Sequence, residues 1–280
     1  MKRILMANDM SARSDRALRR AVALAKEFDA ELEVLTVIEE MFLEATTRSN
    51  LAFAENALAE QISGVPDAND VNITKRAVVG LDYEDIIERA EELDVDLLVL
   101  GIHRHKRREL FQGTTAERLV RHSTRPLLVV RDPVTSPYRR ILVASDLSSQ
   151  AEAATRTAAR LAPVGKVVVL HAVNPHFQAI LGRRDQKSFI DQQRARAADA
   201  LEGLVGKIST ELGDAAPKFE LSFPEGKVYA AILAEVASLK PDLLAIGTHG
   251  RSGIARAVIG SIAEQLLADS PIDILTVQVG

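Results

Sequence analysis

Short apolar runs alternate with stretches of helical period along the whole chain. Ile4 to Ala7, Leu32 to Ile38, Leu97 to Leu100 and Leu127 to Val130 are brief and apolar, which predicts strands buried on both faces. Between the first two runs, Ala17, Leu18, Ala21, Val22 and Ala25 recur at spacings of three and four. That spacing puts them on one face of a helix that covers the sheet, with Ser14 as its expected N-cap. Further helices are predicted around 51 to 62 and 83 to 93, with counterparts at 188 to 212 and 228 to 239. Strands alternating with helices are the mark of βαβ units and a parallel sheet.

The pattern is written twice. Arg3 to Ser11 (RILMANDMS) returns as Arg140 to Ser148 (RILVASDLS), and Asp96 to His103 (DLLVLGIH) returns as Asp242 to His249 (DLLAIGTH). Gly113-Thr114-Thr115-Ala116-Glu117 corresponds to Gly260-Ser261-Ile262-Ala263-Glu264, and each is followed by an amphipathic stretch, a proline (Pro126, Pro271) and a short β-branched run. Such internal similarity fixes both the boundary and the positions that should correspond. Arg131 to Tyr138, with Pro133 and Pro137, reads as the connection. The expected fold class is therefore α/β: two tandem open-sheet, Rossmann-like domains, 1 to 131 and 139 to 280, each with a five-stranded parallel sheet flanked by helices.

Composition narrows the chemistry. The 280 residues are 47% hydrophobic and 26% charged, an ordinary globular balance, and 35 Lys plus Arg stand against 39 Asp plus Glu for a net charge of -4. The basic footprint of a dedicated nucleic-acid binder is missing. There is no cysteine, which removes disulfides, thiolate metal sites and thiol nucleophiles. The first residues carry too short an apolar run for a signal peptide, and no window is long enough to span a membrane. A cytoplasmic location is expected.

Ligands of open parallel sheets bind beyond the carboxyl ends of the strands, where strand order reverses. One such end reads Gly247-Thr248-His249-Gly250-Arg251-Ser252-Gly253 and runs on to Gly260-Ser261. Glycines let backbone amides approach a phosphate, and a helix start favours anions. A tight turn with a helix cap explains the same residues, and neither a P-loop nor a dinucleotide fingerprint is present.

The first strand ILVASD (141 to 146), the strand ending in Gly-Thr-His-Gly, and Gly247-x2-Gly250-x9-Gly260-Ser261 together resemble the universal stress protein family in its tandem form. The resemblance covers nearly the whole chain. It implies an ATP site, with magnesium accompanying the nucleotide: Gly247, Gly250, Gly260 and Ser261 at the phosphates, Asp146 at the ribose or adenine edge, and Val173 at the base. Ala144, His249, Arg251 and Ile262 complete the expected set, although a hydrogen bond holding the loop is the plainer role for His249. Without the resemblance, Asp146 reads as a residue that caps the next turn.

The first half departs from the pattern. Arg104 stands where the second glycine belongs, and the interval to Gly113 is one residue short. A weak, altered or empty site is expected there, built from Asp9, Val37, Gly101, Gly113 and Thr114. The basic run His103 to Arg108 reads as a solvated loop, since no carboxylate cluster completes a metal site and no aromatic residues interleave it. No metal, nucleic-acid or membrane partner is expected. No set of residues demands catalysis, and the resemblance implies a stress or signalling factor acting through nucleotide-dependent conformation or association. A slow ATPase or adenylyl transferase and a nucleotide-free scaffold are the competing readings. A homodimer and a protein partner of unknown kind are the expected associations.

Overall fold

The computed structural model describes residues 1–38, 44–101, 114–134, 136–173, 186–248 and 259–279. The chain divides into two compact units, Met1–Pro137 and Tyr138–Gly280. In the first, β1 (Arg3–Ala7), α1 (Ala12–Phe28), β2 (Glu31–Ile38), α2 (Glu44–Ser63), β3 (Ile73–Val79), α3 (Asp82–Glu92), β4 (Leu97–Gly101), α4 (Thr115–His122) and β5 (Leu127–Val130) follow in order. The second repeats them as β6 (Arg140–Ala144), α5 (Ser149–Leu161), β7 (Lys166–Leu170), α6 (Gln186–Leu212), β8 (Lys218–Ser222), α7 (Val228–Leu239), β9 (Leu243–Gly247), α8 (Ser261–Asp269) and β10 (Asp273–Val277).

Each unit is an open, fully parallel Rossmann-like sheet of five strands, in the order β3-β2-β1-β4-β5 in one and β8-β7-β6-β9-β10 in the other. Strand order reverses between β1 and β4 and between β6 and β9, so the crevice for a ligand opens at Ala7/Leu100 and at Ala144/Ile246. The first strand of each unit is held at its start by one carboxylate. Asp96 accepts from the amides of Lys2 and Arg3, and Asp242 accepts from those of Arg139 (2.9 Å) and Arg140 (2.8 Å).

The apolar runs form the cores as their pattern requires. Leu5, Leu32 and Leu98 in one unit and Leu142, Val167 and Leu244 in the other are completely buried, as are Ala17, Leu18 and Ala21 of α1. Two details differ from the sequence reading. Ser14 is no N-cap: α1 begins two residues earlier, at Ala12, and the Ser14 hydroxyl donates back to Asp9. In the repeat the cap is Ser148, the counterpart of Ser11 and not of Ser14, and its hydroxyl accepts from the Ala151 amide at 3.2 Å. The β2 run is also not wholly apolar. Glu33 sits inside it, nearly buried, and meets Arg89 of α3 through two hydrogen bonds of 2.7 and 2.8 Å.

Candidate functional site

At the carboxyl ends of β6, β7 and β9 lies a cavity of about 330 Å³. Its wall on one side is apolar, made by Leu170, Ala172, Val228, Ile232 and Ile246. Its other side is polar, where Ser145, Asp146 and Thr248 meet the start of α8 at Gly260, Ser261 and Ile262.

The polar side is built from backbone conformation. Asp146 follows β6 and accepts from the Ser148 amide at 3.0 Å, a turn of the kind Asx residues favour. That turn places Leu147 at φ 66°, left-handed backbone that costs a leucine roughly 1–2 kcal/mol. The first unit repeats the device: Asp9 accepts from the Ser11 amide at 3.0 Å, and Met10 stands at φ 57°. Each first-strand aspartate thus does what a capping residue does.

Gly247 ends β9 against the first turn of α5. A Cβ on it would stand 2.8 Å from Gln150 Cβ and 3.0 Å from the Gln150 carbonyl carbon, so this glycine permits a close strand-to-helix approach. Gly260 is different. It is the N-cap of α8 with φ -61°, an ordinary conformation, and its amide already donates to the Thr248 carbonyl at 2.9 Å. The next three amides, of Ser261, Ile262 and Ala263, have no acceptor among the described residues, because the first intrahelical bond is Glu264 to Gly260. Three orphan donors and the positive end of the α8 dipole therefore face the cavity. On the apolar side the Tyr229 hydroxyl donates to Asp269 at 3.0 Å, fastening α7 to the end of α8. Burial first, and then that hydrogen bond, push the Tyr229 phenol above its ordinary pKa.

The structure thus brings Ala144, Asp146, Gly247, Gly260, Ser261 and Ile262 around one space. Val173 stands apart from that lining. It is buried at the end of the β7 segment, where its amide donates to the Pro224 carbonyl and its own carbonyl accepts from Gly226. The Gly226 bond to Val173 repeats the Gly80 bond to Ile38, both 3.0 Å, so the equivalent of Val37 is Ala172, which does line the cavity. Thr248, Val228 and Ile232 were not anticipated, since only the folded sheet shows which side of each element faces the crevice. His249, Gly250, Arg251 and Gly113 lie outside the described residues, as does the basic run 103 to 108. In the first unit, Asp9 ends up beside the start of α1, Gly101 closes β4, and the Thr114 hydroxyl caps α4 by accepting from the Glu117 amide at 3.2 Å. Among the described residues no group of three acidic or histidine side chains is placed to hold a metal ion, and no helix is long and apolar enough to cross a membrane.

The sequence pattern that defines the universal stress protein family matches residues 1–131 and again residues 137–278. The chain belongs to the universal stress protein family. A universal stress protein of Methanocaldococcus jannaschii is 28% identical over 141 residues, 47% of this chain and 83% of that protein. A universal stress protein A homologue of Coxiella burnetii is 32% identical over 143 residues, 46% of this chain and 95% of its own length. Among solved structures, a universal stress protein from Archaeoglobus fulgidus aligns over 99% of this chain and 96% of its own, with a TM-score of 0.69 at 18% identity. The latter is a likeness of fold. This universal stress protein therefore carries two copies of the family's unit, and the comparisons reach both.

Proposed function

We propose that the C-terminal unit binds ATP and that the chain is a cytoplasmic stress-response protein whose conformation or association follows nucleotide occupancy. The observation that carries this is the junction of an apolar wall with the uncapped start of α8 inside one cavity of about 330 Å³, a size within the usual range of small-molecule pockets. An adenine ring suits Leu170, Ala172, Val228 and Ile232; phosphates suit the Ser261, Ile262 and Ala263 amides and the Ser261 hydroxyl. Asp146 and Ser145 supply acceptors and donors near the sugar. Magnesium arrives with the nucleotide and screens its charge; Asp146 is the one acid among the described lining residues.

Binding without efficient turnover fits these residues. The Asp146 carboxylate is engaged in holding its own turn, and no base stands poised on a water or a nucleophile among the described lining residues. The test is to denature purified protein, separate the released small molecules, and count nucleotide per chain by mass spectrometry, then titrate nucleotide-free protein with ATP and magnesium. About one ATP per chain is expected. No binding at millimolar ATP would overturn the reading, and release of ADP or AMP faster than about one per second, in the range of ordinary enzymes, would replace it with catalysis.

A further inference from the structure

The N-terminal unit carries at residue 82 a feature that the C-terminal unit lacks. The segments Gly80-Leu81-Asp82-Tyr83 and Gly226-Lys227-Val228-Tyr229 are equivalent: Gly80 and Gly226 make the same backbone bond, and each segment leads into the helix after the third strand. Val228 lines the cavity beside Ser261 and Ile262. Its counterpart Asp82 opens α3, and there its carboxylate accepts a hydrogen bond from the hydroxyl of Thr115, the first residue of α4. By the correspondence of the two halves Thr115 stands at the position of Ile262, one residue after Thr114, the counterpart of Ser261. The second Asp82 oxygen lies 3.8 Å from Arg118 Nη1, and the Arg118 guanidinium also stands over the Tyr83 ring at 5.2 Å. At the position equivalent to Arg118, the C-terminal unit has the neutral Gln265.

We infer that Asp82 fills the anion position of the N-terminal unit from within and so bars phosphorylated ligands from it. A carboxylate bonded to the Thr115 hydroxyl stands at the first turn of α4, one residue from the counterpart of Ser261, where a phosphate would lie. It also sets a negative charge beside the helix end that would attract one. The same side chain is held by Thr115, Arg118 and the Tyr83 amide (2.7 Å), so it is fixed in place rather than free to swing away. The Thr114 hydroxyl meanwhile caps the Glu117 amide, which removes a further donor. This internal counter-ion is independent of the Arg104 departure in the sequence and makes the two units unequal by side-chain chemistry alone. The inference rests on the reading of the C-terminal cavity as a site for a phosphorylated nucleotide.

The experiment is equilibrium dialysis of ATP and magnesium against the full chain as wild type, Asp82→Val and Asp82→Asn, and against Asp82→Val combined with Ser261→Glu, which puts a carboxylate at the start of α8. Thermal unfolding followed by circular dichroism confirms that each variant is folded, and Asp82→Asn, which keeps the shape and the Thr115 partner, carries the test if the valine variant does not fold. The expected result is about one ATP per wild-type chain and two per Asp82→Val chain. Loss of one negative charge should strengthen N-terminal binding at least about tenfold, as removing a like charge at short range does in a partly screened site. The combined variant should keep the gained site. If folded Asp82 variants bind no more ATP than wild type, the inference is overturned. Zero in wild type with one gained in Asp82→Val keeps the inference and sinks the proposed C-terminal site; zero throughout sinks both.

Discussion

Replacing Gly247 by valine should destabilise the C-terminal unit by about 1–3 kcal/mol, the usual cost of forcing atoms into a close-packed region, and lower its melting temperature by several degrees. The Cβ itself would sit 2.8 Å from Gln150 Cβ and 3.0 Å from the backbone of the same residue. Neither neighbour is the loose end of a long side chain, so the first turn of α5 must shift as a body. That turn is pinned by Ser148 and follows directly on the Asp146 turn, so the shift also disturbs the polar side of the cavity. Gly260→Ala is the control. Its φ of -61° suits any residue, its nearest new neighbour is the Thr248 carbonyl at 3.4 Å, and the expected cost is at most about 1 kcal/mol, from exchanging glycine for a poorer N-cap. Thermal melts of the two variants decide the matter. Equal losses would mean that the close approach of β9 to α5 is not what requires glycine at 247.

The second large effect is expected at Glu33. Its side chain is 11% exposed and that of Arg89 is 22% exposed, and they pair through two short hydrogen bonds. Arg89 also reaches Glu92 at 2.9 Å, and these carboxylates together hold its guanidinium pKa above the ordinary value, Glu33 being the larger cause. Glu33→Ala leaves the guanidinium largely desolvated with only its outer partner. The expected destabilisation is about 3 kcal/mol, at the lower end of what breaking a buried pair costs. Glu33→Leu together with Arg89→Met should recover most of that loss, because removing both charges removes the desolvation cost as well as the attraction. Urea unfolding of the single and double variants measures the difference. A double variant as unstable as the single one would show that packing, not stranded charge, is responsible.

Much of this fold is legible in the sequence because the chain states its pattern twice. A five-residue apolar run is ambiguous alone, but RILMA and RILVA followed by the same Asp-x-Ser mark the start of a unit. The third strands were harder to see: Ile73–Val79 carries Thr74, Lys75 and Arg76 in succession, so it shows no buried run, and only pairing with β2 reveals it. Ser14 misled because serine before a helical stripe has two uses, capping a helix or bracing the preceding turn, and Asp9 draws it to the second. The candidate site was legible where motif residues are neighbours in sequence. It was not where Val228 and Ile232 come in from a separate helix, and nothing in the spacing of Asp82 and Thr115, 33 residues apart, announces their contact. Gly247, read from the sequence as a glycine for a ligand, lines the cavity and also has a packing reason to be glycine, the close approach of α5, which the sequence did not announce.

The uncapped start of α8 has a thermodynamic consequence. The first unit finishes its last helix with its own Thr114, whereas α8 begins at a glycine with no side chain to offer, and its first three amides have no acceptor among the described residues. A helix whose end is completed by a guest has a stability that depends on the guest's concentration: a ligand at a hundred times its dissociation constant adds about 2.7 kcal/mol to the folded state. With the proposed nucleotide as that guest, occupancy would set how long this half of the chain survives heat or proteases, and its abundance in a cell would track the supply of the anion that completes the helix.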